Sequence, residues 1–296
     1  MRLFIFLITY FLCIQTGTSR SQTPFSIHED SLKNMSRRII DPEHDFERLA
    51  LNLEFLRYFE EVLQMEGSID YPFDSLTTVS RLAAPDGSFR IISWYIPLAD
   101  SKFEYFGFFQ SRPSKNEYYL YPLNDQAAAI KDPQFETLDH DNWYGAYYTQ
   151  LIHERYRRRD YYTLLGWRGD NPLTRKRIIE PVRLMGKGRP SFGNPVFRFE
   201  NNRHRRIIYE YSSRVSMSMR YEPHSLEPGK RAQDVIIFDR MVPTHGFLKG
   251  NYQFYMPETN IFDGFVFDSG KWVFVSDIDA KNPRRRPLPR PVPPRD

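Results

Sequence analysis

The chain has 296 residues, 16% of them aromatic, a formal charge of +4 and one cysteine. Two arginines within residues 1–21 and a net five positive charges within 281–296 exceed that total, so residues 22–280 carry a net −3, and the body offers no basic surface for nucleic acid. Because Cys13 is the only cysteine, everything after it lacks disulfides, thiolate metal sites and cysteine nucleophiles, and the fold must rest on burial.

The opening "MRLFIFLITYFLCIQTGTSRSQ" places Arg2 before an apolar run from Leu3 to Ile14, then small residues at Ser19 and Ser21. That order predicts a secretory signal over residues 1–21, cleaved after Ser21, with a periplasmic or extracellular product. The run is short of the roughly 20 residues a membrane span needs. Tyr10, Phe11 and Leu12 stand where a lipoprotein signal has small residues, which argues against lipidation of Cys13.

Residues 22–40 are polar with few apolar anchors and read as a linker or arm. Asp41-Pro42 supplies an N-cap and a first-turn proline, and Phe46, Leu49, Leu53, Leu56, Phe59 and Leu63 recur at helical spacing. This predicts one amphipathic helix over 42–66, its apolar stripe docked on a sheet.

From Ser88 the period changes. Runs such as "FRIISWYIP", "FEYFGFFQ", "DYYTLLGW", "RKRIIEPVRL", "DVIIFDR" and "KWVFVSD" are β-prone and separated by Gly, Pro, Asn and Asp. The expectation is a single mainly β domain over 41–280 built of antiparallel sheets, a sandwich or barrel, with an incomplete propeller as the alternative. Asp86-Gly87 and Ser269-Gly270 read as tight turns. An Arg-Ile-Ile triplet recurs at Arg90, Arg177 and Arg206, but its unequal spacings point to shared strand chemistry rather than a repeat. The ending "KNPRRRPLPRPVPPRD", residues 281–296, combines prolines with like charges and is expected to be a disordered tail able to make weak contact with anionic surfaces.

No Gly-x-Ser-x-Gly elbow, phosphate-binding glycine loop or His-Glu-x-x-His occurs, and the seven histidines lack metal-ligand spacing, so neither cofactor nor metal is expected. In "LDHDNWYGAYY", Asp139, His140 and Asp141 precede Trp143; turn chemistry accounts for them, and an acid/base pair is the competing reading. The Arg168-Gly169-Asp170 triplet falls between two β-prone runs and reads as an exposed hairpin turn with Gly169 in a left-handed conformation. Adhesion through it would require that exposure. Adjacent tyrosines in strands point to opposite faces. With both faces covered they are core; with one open, Trp143, Tyr148, Tyr162 and Trp167 would line a ligand-binding surface for sugar rings or a hydrophobic peptide.

The ordered motifs "DYPFDSL", "FRIISWYIPL", "YFGFFQ", "WYGAYY", "YYTLLGWRGDN", "KRIIEPV", "FGNPVF", "RRIIYEYS", "MSMRY", "VIIFDRMVP" and "FDGFVFDSGKW" resemble an uncharacterised family of secreted proteins from Bacteroidota-type Gram-negative bacteria, over roughly residues 45–280. The resemblance implies an exported location and no particular activity. Where that family has an acidic residue before Gly169, this chain has Arg168. The expected function is a non-catalytic binding or structural component of the cell envelope, with an envelope protein or glycan as partner. The alternative is a secreted glycan hydrolase using Asp139 and Asp141.

Overall fold

The computed structural model describes residues 24–200, 203–226 and 231–279. Two helices, α1 (Pro24–Arg38) and α2 (Asp45–Gln64), precede fourteen strands. Strands β1 (Ser80–Ala83), β2 (Phe89–Pro97), β3 (Phe103–Ser114) and β4 (Glu117–Asn124) form a first antiparallel sheet in chain order. The second sheet runs β10 (Ile207–Ser212), β7 (Thr174–Leu184), β6 (Arg159–Arg168) and β5 (Tyr147–Tyr156), with β8 (Pro190–Phe192) added to β7. The third runs β11 (Met219–His224), β12 (Gln233–Pro243), β13 (Tyr255–Asp268) and β14 (Lys271–Ile278), and closes with β9 (Phe197–Arg198) parallel to β14.

The layers follow from strand periodicity. Neighbouring residues on a strand face opposite ways, so a sheet covered on both sides needs apolar pairs in sequence. Ile91 packs toward the second sheet and Ile92 toward the helices; Phe109 and Phe108 repeat the division on β3. In the second sheet Leu164 and Ile178 meet the first sheet, while Leu165 and Ile179 meet Ile236, Phe238, Phe265 and Trp272 of the third. The molecule is therefore a stack: helices, first sheet, second sheet, third sheet. The mainly β, antiparallel expectation holds, and the sheets pack face to face without closing into a barrel. The Arg-Ile-Ile triplets are accounted for in the same way, as strand segments with an isoleucine for each of two covered faces.

Three expectations change. Residues 22–40 contain α1, an ordered helix rather than a linker. It presents about one apolar residue per turn: Leu32 is buried, Phe25 and Met35 pack beside it, and Ile39, just past the helix end, is buried in the same cluster. Polar contacts complete the docking, for Glu29 accepts from the Tyr71 hydroxyl and the Ser75 amide, both at 2.6 Å, and His28 meets the Tyr58 hydroxyl at 2.8 Å. Second, α2 starts at Asp45 without a side-chain cap, so Asp41-Pro42 is outside it. Third, its buried face is Asn52, Phe55, Phe59, Val62 and Leu63, while Phe46 and Leu53 are 68% and 53% exposed. α2 is apolar on more than one side, and the hydrogen bond from Trp94 Nε1 to Asn52 Oδ1 (2.8 Å) fixes which side docks.

The two turns form as expected. Gly87 has φ 71°, and Ser269 and Gly270, at 50° and 81°, supply the paired positive φ of a two-residue hairpin joining β13 to β14. The tail, residues 281–296, and the signal segment, residues 1–21, lie outside the described residues. No described helix is long and apolar enough to cross a membrane.

Candidate ligand-binding face

The sequence-predicted aromatic residues separate. Trp143 and Tyr148 are fully buried, and Tyr162 nearly so, so none of the three can stack on an external ligand. The cause is the first sheet: it covers the face of the second on which these residues lie, with Phe89, Ile91 and Phe109 packed in the same cluster. Trp143 Nε1 donates to the Tyr148 hydroxyl (2.9 Å), which donates in turn to Glu180. Tyr162 donates to Asp86 and stacks on His153, ring centroids 4.9 Å apart.

Trp167 alone stays half-buried, and it joins a group that sequence reasoning did not assemble. Tyr95 lies 5.4 Å and Phe103 5.1 Å from its ring, and Tyr147 meets Tyr95 at 5.5 Å. Tyr95 follows Phe89, Ile91 and Ser93 at every second position on β2, the row facing the second sheet. It lies at the end of that row, where the space between the sheets opens, and is 37% exposed. The alternation in "FRIISWYIP" marked the row, but nothing local indicated where the row leaves the core. Arg175 lies over the Phe103 ring at 5.2 Å and supplies a cation at the rim.

Beside these rings is a polar depression of about 470 Å³ lined by Lys102, Phe103, Glu104, Tyr144, Asp170 and Lys176 among others. Its floor is a chain of alternating charge. Arg168, with only 8% of its side chain exposed, pairs with Asp125 at 2.8 Å and with Asp170; Lys176 pairs with Asp170 at 2.5 Å. Arg168 also lies 4.6 Å from the Tyr105 ring centroid. Burial opposes ionisation of Asp170, but Arg168 and Lys176 outweigh it and hold the carboxyl below its ordinary range. Burial, with Asp125 and Asp45 nearby, moves the Glu104 carboxyl the other way, upward.

This geometry corrects the reading of the Arg-Gly-Asp triplet. The connection is a hairpin, with Arg168 opposite Lys176, but Arg168 and Gly169 are buried, and the Arg and Asp side chains bond each other. Gly169 has no positive φ. It is required instead by close approach, because a Cβ there would meet the Phe103 ring at 2.9 Å and Arg175 Cδ at 3.1 Å.

Asp139 and Asp141 bring carboxylate oxygens within 4.8 Å of each other but line different depressions. Asp139 Oδ1 accepts from the amides of Asp141 and Asn142, each at 3.1 Å, which is the turn chemistry expected of the segment. Asp139 lines a depression with Arg183 and Arg189, whereas Asp141 lines another with Asp125 and Arg168. Among the described residues, two groups bring cation-type ligand atoms within 4.8 Å: Asp139, His140 and Asp141, and Asp86, His153 and Asp160. The second spans 74 residues, so no spacing rule would find it. Its members already have protein partners: His153 Nε2 lies 2.9 Å from Asp160, and Asp86 accepts from Ser88 Oγ at 2.7 Å and from the Tyr162 hydroxyl. No family model, curated protein or solved structure matches the chain.

Proposed function

We propose that the protein is an exported, non-catalytic binding component of the cell envelope that holds a glycan against the rings of Tyr95, Phe103, Tyr147 and Trp167. The observation that carries this reading is an open aromatic group beside a depression whose ionic floor is internally neutralised. Sugar rings present apolar C–H faces that stack on aromatics, and their hydroxyls need nearby polar groups. Glu104, Lys102 and the Asp170–Lys176 pair supply these next to Phe103. Export rests on the signal-type opening of the chain and on its resemblance to secreted proteins.

Glycan-array screening and titration calorimetry test the reading with wild type, Tyr95→Ala and Glu104→Gln. Saturable binding to an oligosaccharide, lost in Tyr95→Ala with the melting temperature kept, is the expected result. Envelope-protein capture that depends on Tyr95, with no glycan binding, would move the site to a protein partner. Release of a cleaved sugar would restore the hydrolase reading.

A further inference from the structure

The second sheet carries arginines that no carboxylate answers. Arg183 on β7 lies opposite Ser191 on β8. Arg189 stands two residues before Ser191, so on extended backbone it shares that face, a diagonal neighbour of Arg183 with Cβ atoms roughly 7 Å apart. The hairpin between them is fixed: Met185 N donates to Arg189 O at 2.8 Å, Gly188 N to Met185 O at 2.9 Å, and the Tyr121 hydroxyl to Lys187 O at 2.7 Å.

Both arginines line a depression of about 620 Å³, the size of a small-molecule site. Its remaining wall is drawn from residues 126–142, with exposed Lys131 among them. That wall is tied to the sheet. Leu138 and Phe192 exchange backbone bonds at 2.9 and 2.8 Å, and Thr137 Oγ1 donates to Gly193 O at 3.0 Å. Arg206, held by Glu180, donates to the Glu136 carbonyl at 3.0 Å. A wall anchored in this way is pre-organised, which lowers the cost of binding.

The lining holds three cations, Arg183, Arg189 and Lys131, and two carboxylates, Glu136 and Asp139. The carboxylates turn to their own loop: Asp139 Oδ1 accepts from the amides of Asp141 and Asn142, and Glu136 Oε1 from the amide of Asp132 at 3.3 Å. Among the described residues none of the three cations forms an ion pair, whereas Arg168, Arg206 and Arg240 each have a carboxylate within 3 Å. Two like charges this close repel, and an anion between them removes that cost. Guanidinium forks match carboxylate and phosphate oxygens in pairs. Gln126, Asn142 and Ser191 add amide and hydroxyl groups, and no aromatic ring lines the depression. The lining therefore suits a hydroxyl-rich anion and offers no platform for a stacked ring.

We propose that this depression binds an acidic sugar, its carboxylate or phosphate bridging Arg183 and Arg189 and its hydroxyls meeting Gln126, Asn142 and Ser191. The site is separate from the aromatic face. Arg177 lies opposite Trp167, and Arg183 is six residues, roughly 20 Å, further along β7. The proposal therefore does not rest on the glycan reading.

Titration calorimetry and ligand-observed NMR test it on the full chain at physiological ionic strength, with glucuronate, glucose 6-phosphate, glucose and inorganic phosphate as probes. At least one acidic sugar is expected to bind saturably, the tighter of the two naming the anion, with glucose and inorganic phosphate much weaker. Arg183→Gln and Arg189→Gln, both at exposed positions, should keep the melting temperature and lower affinity roughly tenfold or more. Arg157→Gln, at the β5–β6 turn, and Tyr95→Ala should bind as the wild type does. Absence of acidic-sugar binding, or equal affinity in wild type and both arginine variants, overturns the proposal. Inorganic phosphate binding as tightly as glucose 6-phosphate, or an equal loss in Arg157→Gln, would reduce the site to non-specific charge and overturn it too. Loss in Tyr95→Ala would overturn it by moving the acidic sugar to the aromatic face.

Discussion

Glu180, on β7, and Arg206, just before β10, are both fully buried and pair at 2.6 Å. Glu180 also accepts from the Tyr148 hydroxyl, and Arg206 Nη1 donates to the carbonyls of Glu136 (3.0 Å) and Pro133. Arg206→Met leaves the carboxylate buried with one neutral donor, and Glu180→Leu leaves the guanidinium with carbonyls alone. Each single change should cost about 3–5 kcal/mol, the usual consequence of stranding a buried charge. The double substitution removes both charges together. It leaves the Tyr148 hydroxyl and two carbonyls short of a partner, so it should cost only about 2–3 kcal/mol, far below the sum of the singles. Equilibrium urea unfolding followed by tryptophan emission is the assay, since Trp143 donates to Tyr148 within the same network. A double-mutant loss equal to the sum of the single losses would refute the coupling.

Gly169→Ala should lower stability by about 1–3 kcal/mol through overpacking against Phe103; an unchanged melting temperature would contradict the close approach. Asp170→Asn should destabilise by about 2 kcal/mol or more by leaving the buried Arg168 short of a partner, while cells should adhere no better to wild type than to this variant, because the triplet is not displayed. Since the Asp170 carboxyl is depressed in the fold, its contribution is complete above the unfolded value of about 3.9 and is lost as pH falls below it; wild-type melting temperature should therefore drop more steeply than that of Asp170→Asn below about pH 4. Burial moves the His204 imidazole downward, so the folded state favours its neutral form. Stability should fall as pH drops below the unfolded value of about 6.5, and His204→Gln should flatten the unfolding free energy between about pH 7 and 5.

The sequence by itself determined the class of fold. Short β-prone runs, Gly-bearing turns and the helical period over Phe46–Leu63 required antiparallel sheets with a helix before them, because side-chain period is a local property of the backbone. It could not determine how many faces each sheet covers. The doublets Ile91-Ile92, Leu164-Leu165 and Ile178-Ile179 were visible, but only the stacking of the helices and three sheets makes each member core. That stacking buried Trp143, Tyr148 and Tyr162 and left Trp167 to join Tyr95, Phe103 and Tyr147, residues up to 72 positions apart. α1 escaped notice because one apolar residue per turn is too little signal until Tyr58, Tyr71 and Ser75 supply its polar partners. The Arg-Gly-Asp loop shows the division most clearly: residue types fixed a hairpin connection, while Asp125, 43 positions before Arg168, decided that the triplet turns inward. Burial and long-range ion pairing depend on what the rest of the chain brings to a residue, and that is set by tertiary structure alone.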